Sequence, residues 1–408
     1  MRARILFLAQ LLPYPPVCGG TLRSFYTLKR LCAAHDVTLL TFERKPADKR
    51  HAELLRGHCS EVIAVPMKRS RLANARWAAW SLARRSCFMI DRDFTREMQN
   101  AVGAVLSERR FDLTYVDHLQ MSQYVRGKRP GARVLDEHNV EWRIIQRIAE
   151  TERRGLRKLF ASVEWPKLRE YELSVCEQYD AVSTVTEQDR ATLLTENPRI
   201  GKVDCVPTGV DPHAFRPVAS APGSKTILSV ATMSWPPNED AVLYFCSEIY
   251  PLVKRRVPEA RLVLAGSRPT GAVKRLEADP SISVPGFVED IHELASKCAV
   301  FIVPLRCGSG IRVKILNAMA MGLPVVSTTV GCEGIDVTDG ENILIGDEPE
   351  VFASQVARLL EDPAERLRLG YTGREFIMRS HAWDVILPKF DALIESALSR
   401  AKAYAGTG

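Results

Sequence analysis

Between residues 307 and 322 the chain reads Cys-Gly-Ser-Gly-Ile-Arg-Val-Lys-Ile-Leu-Asn-Ala-Met-Ala-Met-Gly, directly after the apolar run Val300-Phe-Ile-Val-Pro304. Gly308 and Gly310 let the backbone approach a ligand closely at the start of a helix, where N–H groups gather and favour anions. Arg312 and Lys314 fall in the first turn or so, where phosphate oxygens find cationic partners. Counting Gly310, Lys314 and Asn317 at i, i+4 and i+7 puts them on one helical face, with Val313, Leu316 and Ala320 on another. The chemistry expected is the binding of a phosphate or diphosphate, and the plainer alternative is a surface turn with two solvated cations. The segment is not a dinucleotide fingerprint, because the third glycine and the distant acid are missing.

Gly19-Gly20 is a second phosphate-facing candidate, since a glycine pair supplies positive φ and room, although it also serves as a simple turn before a helix. His118 and His138 end the runs Leu113-Thr-Tyr-Val-Asp-His and Arg133-Val-Leu-Asp-Glu-His. An imidazole at a strand's carboxyl end can hold a hydroxyl or relay a proton, or be a packed spectator. Asp91-Arg-Asp93 could hold a metal with a diphosphate through oxygen ligands. It precedes a helical pattern at Phe94–Leu106, so Asp93 reads as that helix's N-cap, and no metal is expected.

Such loops need elements to hold them. Short apolar runs alternate with helical patterns along all 408 residues, the mark of βαβ units and parallel sheets. Strands are expected near Arg4–Leu8, Val37–Thr41, Val62–Pro66, Leu113–Asp117, Arg133–Asp136, Ala181–Thr184 and Val203–Pro207. After the turn-rich stretch to Ser224 they resume near Thr226–Val230, Arg261–Ala265, Ile282–Val284, Val300–Pro304, Pro324–Ser327 and Asn342–Ile345. Helices are expected at Thr21–Ala34, Glu239–Arg256, Ile311–Met321 and, as one or two, over Ala382–Ala403. The expected fold class is α/β, with two Rossmann-like doubly wound domains facing across a cleft: 1–210, 211–380 and a terminal helix 381–408 packing back on the first. Ten cysteines with no C-x-x-C spacing disfavour a zinc ribbon or redox site. No run of about 18 apolar residues suggests a spanning helix.

Several motifs together resemble a known family. Residues 308–327 look like the donor-binding helix of retaining family-4 glycosyltransferases of the GT-B fold. Val206–Phe215 is similar to their interdomain hinge, Val284–Asp290 to the motif ahead of that helix, and Pro15–Arg23 to their first glycine loop. Asp136-Glu-His-Asn-Val-Glu-Trp142 and Ser234-Trp-Pro-Pro-Asn238 resemble the exopolysaccharide, exosortase-associated subgroup more closely.

The resemblance implies transfer of a sugar from a nucleotide-sugar donor with retention, without a metal or other cofactor. It implies that Gly19, Gly20, Gly308, Ser309, Gly310, Ile311, Asn317 and Glu333 bind the donor. Arg312, Lys314 and His118 would act in catalysis, with His138 on the acceptor side. Ser309 and Asn317 occupy the positions of the family's two E-x7-E glutamates. Asn317 can still accept a hydrogen bond, without charge assistance. That departure raises a rival reading, a nucleotide-sugar-binding protein with little turnover, and a sugar-nucleotide epimerase is a third.

Net charge is +7. Eight basic residues against Asp91 and Asp93 fall between Pro66 and Arg96. Leu72, Trp77, Trp80, Leu82 and Phe88 interleave with these cations, the composition of a helix lying on an anionic membrane through residues 68–88. A solvated helix with its tryptophans in the core is the alternative. No nucleic-acid motif accompanies the charge. The expected location is cytoplasmic, on the inner face of the plasma membrane, with a saccharide or lipid-linked acceptor.

Overall fold

The computed structural model describes residues 2–128, 131–151, 155–219, 221, 223–308 and 310–405. Among these, thirteen strands form two all-parallel sheets. β1 (Arg4–Ala9), β2 (Asp36–Glu43), β3 (Glu61–Pro66), β4 (Leu113–Asp117), β5 (Ala132–Glu137), β6 (Ala181–Thr184) and β7 (Val203–Cys205) align as β3-β2-β1-β4-β5-β6-β7. β8 (Thr226–Val230), β9 (Arg261–Ala265), β10 (Ile282–Gly286), β11 (Val300–Val303), β12 (Val325–Ser327) and β13 (Leu344–Ile345) align as β10-β9-β8-β11-β12-β13. The α/β reading is therefore correct. The chain divides into Met1–Pro207 with Leu387–Gly408, and Thr208–Ile386.

Parallel strands flanked by helices must be apolar on both faces. In the first sheet Leu6, Leu8, Leu40, Val116 and Leu135 enter one core, and their neighbours Ile5, Phe7, Leu39, Tyr115 and Val134 enter the other. Leu393, Ile394 and Ala397 of the helix Trp383–Ala405 join the second of these cores. In both sheets the strand order reverses once, at β1/β4 and at β8/β11. Ligands of such sheets sit at the carboxyl ends of the strands flanking that reversal.

Several sequence expectations need correction. The continuous helix expected at Glu239–Arg256 is broken by a π-helical turn at Phe245–Ile249, just before Pro251, which has no N–H to give the preceding turn. Strand β13 covers Leu344–Ile345 alone. Asp93 caps nothing: the helix Arg96–Glu108 is capped by Thr95, whose hydroxyl accepts from the Met98 amide at 3.1 Å. Asp93 is instead fully buried, ion-paired to Arg69 and accepting from Gln10 Nε2 at 2.7 Å. Gly209, in the segment between the sheets, lies where a Cβ would come 2.6 Å from the Trp383 indole, so the close approach requires glycine.

Candidate functional site

In the first unit the strand ends of β4 and β5 deliver Asp117-His118 and Asp136-Glu137-His138 side by side. Asp117 is wholly buried. Its Oδ2 accepts from Ser24 Oγ at 2.8 Å and lies 3.2 Å from His118 Nδ1, while Oδ1 lies 2.8 Å from His138 Nε2. The two imidazoles are tilted against each other with ring centroids 3.8 Å apart. His118 has φ 75°, the left-handed region that a β-substituted residue enters only when its surroundings enforce it. Its amide donates to the Asp136 carbonyl at 3.2 Å.

A second layer fixes the first. Asp136 receives Arg23 Nε at 2.9 Å and Nη2 at 2.6 Å, and Tyr115 Oη donates to it at 2.7 Å. Arg23 also donates to the Val206 carbonyl at 2.6 Å and to Ser183 Oγ at 2.8 Å, and its guanidinium lies over Phe390. Burial would lift both aspartates, but the imidazoles beside Asp117, and Arg23 and His138 beside Asp136, outweigh it and hold both well below the usual carboxylate range. Burial would likewise lower His138, yet the charge and hydrogen bond of Asp117, with Asp136, lift it to about 9.

Gly19 and Gly20 are the first residues of the helix Gly19–Ala34, and neither has positive φ, so the expected conformational reason is absent. Gly20 matters for space: a Cβ there would stand 3.5 Å from His118 Nε2 and 3.7 Å from His138 Nδ1. Asp117, His118 and His138 each offer one ligand atom within 4.8 Å of the others, a spacing a metal could use. The carboxylate already engages both rings, which makes the group a self-sufficient His–Asp–His unit.

In the second unit the loop after β11 leads to the helix Val313–Ala320. This helix begins two residues later than expected, so Gly310 and Ile311 precede it and Gly310 does not share a helical face with Lys314 and Asn317. Gly308 and Gly310 have φ of 142° and 72°, conformations that suit glycine. Ser309 lies outside the described residues. The Arg312 side chain folds back over the loop, Nη1 donating to the Gly310 carbonyl at 2.6 Å. The Val313 and Ile315 amides donate to Ile311 and Arg312 carbonyls at 3.2 and 2.8 Å. The tip thus offers an anion the helix dipole and two cations rather than a full set of unpaired amides.

Lys314 Nζ donates to Asn238 Oδ1 at 2.8 Å, which joins the loop after β8 to the helix after β11 across the reversal point. Burial, then the nearby Arg312 charge, lower Lys314 to about 7. Asn317 Oδ1 is buried with no hydrogen-bond partner, an acceptor that only a ligand or water could satisfy. Glu333 stands partly buried in the turn after β12. Of the expected residues, Gly19, Gly20 and His118 follow β1 and β4, and Gly308, Gly310, Ile311, Arg312, Lys314 and Asn317 follow β11, at the reversal points, while His138 follows β5 and Glu333 follows β12, one strand further along. Arg23, Tyr115, Asp117, Asp136 and Asn238 were not singled out. The aspartates directly precede or nearly precede the two histidines, and Arg23 and Asn238 close two quoted motifs, so the signal was present.

The second unit also resembles known proteins in sequence. Residues 224–362 match the model for the family described as Glycosyl transferases group 1. That stretch is similar to a group 1 glycosyl transferase domain over about a third of the chain. An uncharacterized 44.6 kDa protein in the cps region of Klebsiella pneumoniae is 20% identical over 93% of this chain and 96% of its own length. A GDP-mannose-dependent monoacylated alpha-(1-6)-phosphatidylinositol monomannoside mannosyltransferase of Corynebacterium glutamicum is 25% identical over 47% of this chain. The match spans only 55% of that mannosyltransferase. Among solved structures, sucrose-phosphate synthase of Thermosynechococcus elongatus superposes with a TM-score of 0.73 at 18% identity, covering 98% of this chain and 100% of that one. Anabaena HepE in complex with UDP-glucose superposes at 0.68 and 14% identity, covering 97% and 100%. These likenesses establish the GT-B fold.

Two outcomes follow from the buried pairs. Arg23→Met leaves the Asp136 carboxylate buried without its cation and should lower unfolding free energy by about 3–5 kcal/mol, read from denaturant midpoints. His138 binds its proton more tightly folded than unfolded. Its contribution is therefore complete below about pH 6.5 and lost as pH rises through about 9, a decline of about 3 kcal/mol at most. Asp117→Asn should flatten that slope.

Proposed function

We propose that this chain moves a sugar from a nucleotide-diphosphate-sugar to a saccharide or lipid-linked acceptor with retention, in the synthesis of an exopolysaccharide or other cell-surface glycan. The observation that carries the reading is the group Arg312, Lys314 and Asn317 at the reversal point of the group 1 domain: two cations beside an orphan acceptor. The cations suit a diphosphate and the acceptor suits a ribose hydroxyl. The UDP-glucose bound by the HepE structure and the cps-region setting in the Klebsiella protein's description agree with it.

The bond from the anomeric carbon to the diphosphate oxygen breaks, and the leaving group gathers charge. Arg312, Lys314 and the helix dipole stabilise that charge, which lets the reaction proceed without a metal. The acceptor hydroxyl forms the new bond from the same face, and its proton passes to the departing phosphate. On the acceptor side, Asp117 holds Nδ1 of His118, which assigns the proton there and leaves Nε2 to accept from a sugar hydroxyl. His138, charged through neutral pH, holds Asp117 ionised. Gly20 keeps the space beside Nε2 open.

A rival is favoured by Asn317, whose neutral amide replaces an acid: binding of a nucleotide-sugar with little turnover. A donor panel separates the two, because free nucleoside diphosphate is released only by transfer, whereas stabilisation without release marks a binder.

The membrane expectation becomes more specific. The helix Arg71–Arg84 touches the body through Trp77, packed on Phe94, and Ser81, hydrogen-bonded to Asp91. At 100° per residue its opposite, outward face holds Leu72, Ala75, Ala79, Leu82 and Ala83. Leu72 is 80% and Leu82 68% exposed. A merely solvated helix would put polar residues there. Trp80 is exposed as well, with Arg84 over its ring at 4.6 Å, so the tryptophans are not both in the core. Cations flanking an outward apolar strip suit an anionic bilayer surface. No helix among the described residues is long and apolar enough to cross a membrane.

Arg312→Ala or Lys314→Ala should weaken nucleoside-diphosphate binding by about 1–3 kcal/mol in calorimetry. Since free Lys314 titrates near 7 and an adjacent diphosphate raises it, binding should take up a proton and weaken by up to about tenfold per pH unit above 7. A pH-independent affinity would remove Lys314 from the contact. Leu82→Glu should abolish co-sedimentation with anionic vesicles; retained binding would exclude this helix as the anchor.

A further inference from the structure

Three strands of the first sheet end in the same corner, and three arginines meet there. Gln10 follows β1, Arg44 follows β2 and Arg69 follows β3, while Arg92 comes from the segment ahead of Asp93. Arg44 Nη2 donates to the Gln10 carbonyl at 3.1 Å, Gln10 Nε2 donates to Asp93 Oδ2 at 2.7 Å, and Arg69 pairs with Asp93. Arg44 lies over Phe42 and Arg92 over Phe88, so each guanidinium has an apolar floor.

One buried carboxylate cannot neutralise three guanidiniums. Nε of Arg44 and Nε of Arg92 are both buried without an acceptor. Asp48 acts on Arg44, and Glu141 and Glu164 act on Arg92, only through space, none of them accepting a guanidinium N–H of either arginine among the described hydrogen bonds. Asp48 accepts the Arg44 and Lys45 amides and Glu164 accepts the Met89 amide, while burial raises Glu141 against the opposing pull of His118, His138 and Arg92. Burial first, and then the charges of Arg44 and Arg92, lower Arg69 to about 10, so the three guanidiniums lie close enough to repel one another. Arg92 and Glu141 interact electrostatically, and Glu141 in turn with His118 and His138, so the corner adjoins the histidine site.

We propose that Arg44, Arg69 and Arg92 form an anion site that takes the phosphate or diphosphate of the acceptor, the group that joins its sugar to a lipid carrier. The inference rests on the transferase reading for what the anion belongs to, and on the arginines alone for its charge. Guanidiniums with parallel donors fit phosphate oxygens, and Arg69 stands directly before the helix with the outward apolar strip, where a lipid carrier would leave the membrane.

Hydrogen exchange of the wild-type chain with inorganic pyrophosphate tests it. Exchange should slow in peptides covering 42–46, 67–71 and 90–95, in addition to 308–317. Slowing confined to 308–317 would overturn the inference and leave the donor site standing; slowing confined to the arginine peptides would overturn the donor site alone. Arg44→Gln and Arg92→Gln, which leave the Asp93 ion pair intact, should each weaken pyrophosphate about tenfold in the arginine peptides. An unchanged titration would overturn the assignment. Farnesyl diphosphate should bind there at least tenfold more tightly than pyrophosphate, and equal affinity would overturn the lipid source, leaving a site for free diphosphate.

Discussion

The buried pair of Arg23 and Asp136 governs the first unit. It ties the helix after β1 to the end of β5 and, through the Val206 carbonyl, to the segment following β7. A buried ion pair seldom adds stability over apolar residues of equal volume, but it specifies geometry, because every lone pair and proton needs a partner in place. Asp136 is already held by Arg23 and Tyr115, and His138 Nε2 stands 3.5 Å from its Oδ2, further than the 2.8 Å to Asp117 Oδ1. That leaves Asp117 as the carboxylate both imidazoles must share. The strained backbone of His118 is then the consequence of placing a ring against Asp117 while its amide bonds Asp136.

The second unit solves the same problem with opposite charge. Its reversal point has cations and amides where the first has carboxylates and imidazoles. Lys314 is held by a neutral asparagine, not by an acid, so its charge stays available and costly. A group poised near 7 gains most from an arriving anion, since the ligand supplies the counter-charge that the protein withholds.

How much of this was legible in the sequence follows from range. β4, β6, β8 and β9 sit where the apolar runs end, because buried parallel strands are written as continuous hydrophobic stretches. The long helix before β9 was misjudged because apolar periodicity continues through a π turn. Asp93 was misjudged because capping is a local rule, whereas Gln10 and Arg69 reach it from 83 and 24 positions away. His118, His138, Lys314 and Asn317 were legible as residue types at strand ends and helix starts. Their partners Asp117, Arg23 and Asn238 were printed beside them but acquire meaning only through pairing between distant segments. Burial and charge compensation are properties of those pairs.

Asn317 shows what a neutral residue does at such a place. A carboxylate three residues along from Lys314 on the same helix would neutralise the ammonium and raise its proton affinity toward the ordinary range. It would accept a ribose hydroxyl more strongly, at the expense of the field at the diphosphate. If the site takes the proposed donor, the amide reverses that division: a weaker hold on the sugar ring of the nucleotide, and an undiminished positive potential where the leaving group would gather charge. Because only interactions that strengthen in the transition state raise the rate, moving electrostatic stabilisation from the ribose to the departing phosphate is compatible with turnover. On the proposed transferase reading, an amide at this position is therefore compatible with turnover, so long as Arg312 and Lys314 keep their charge.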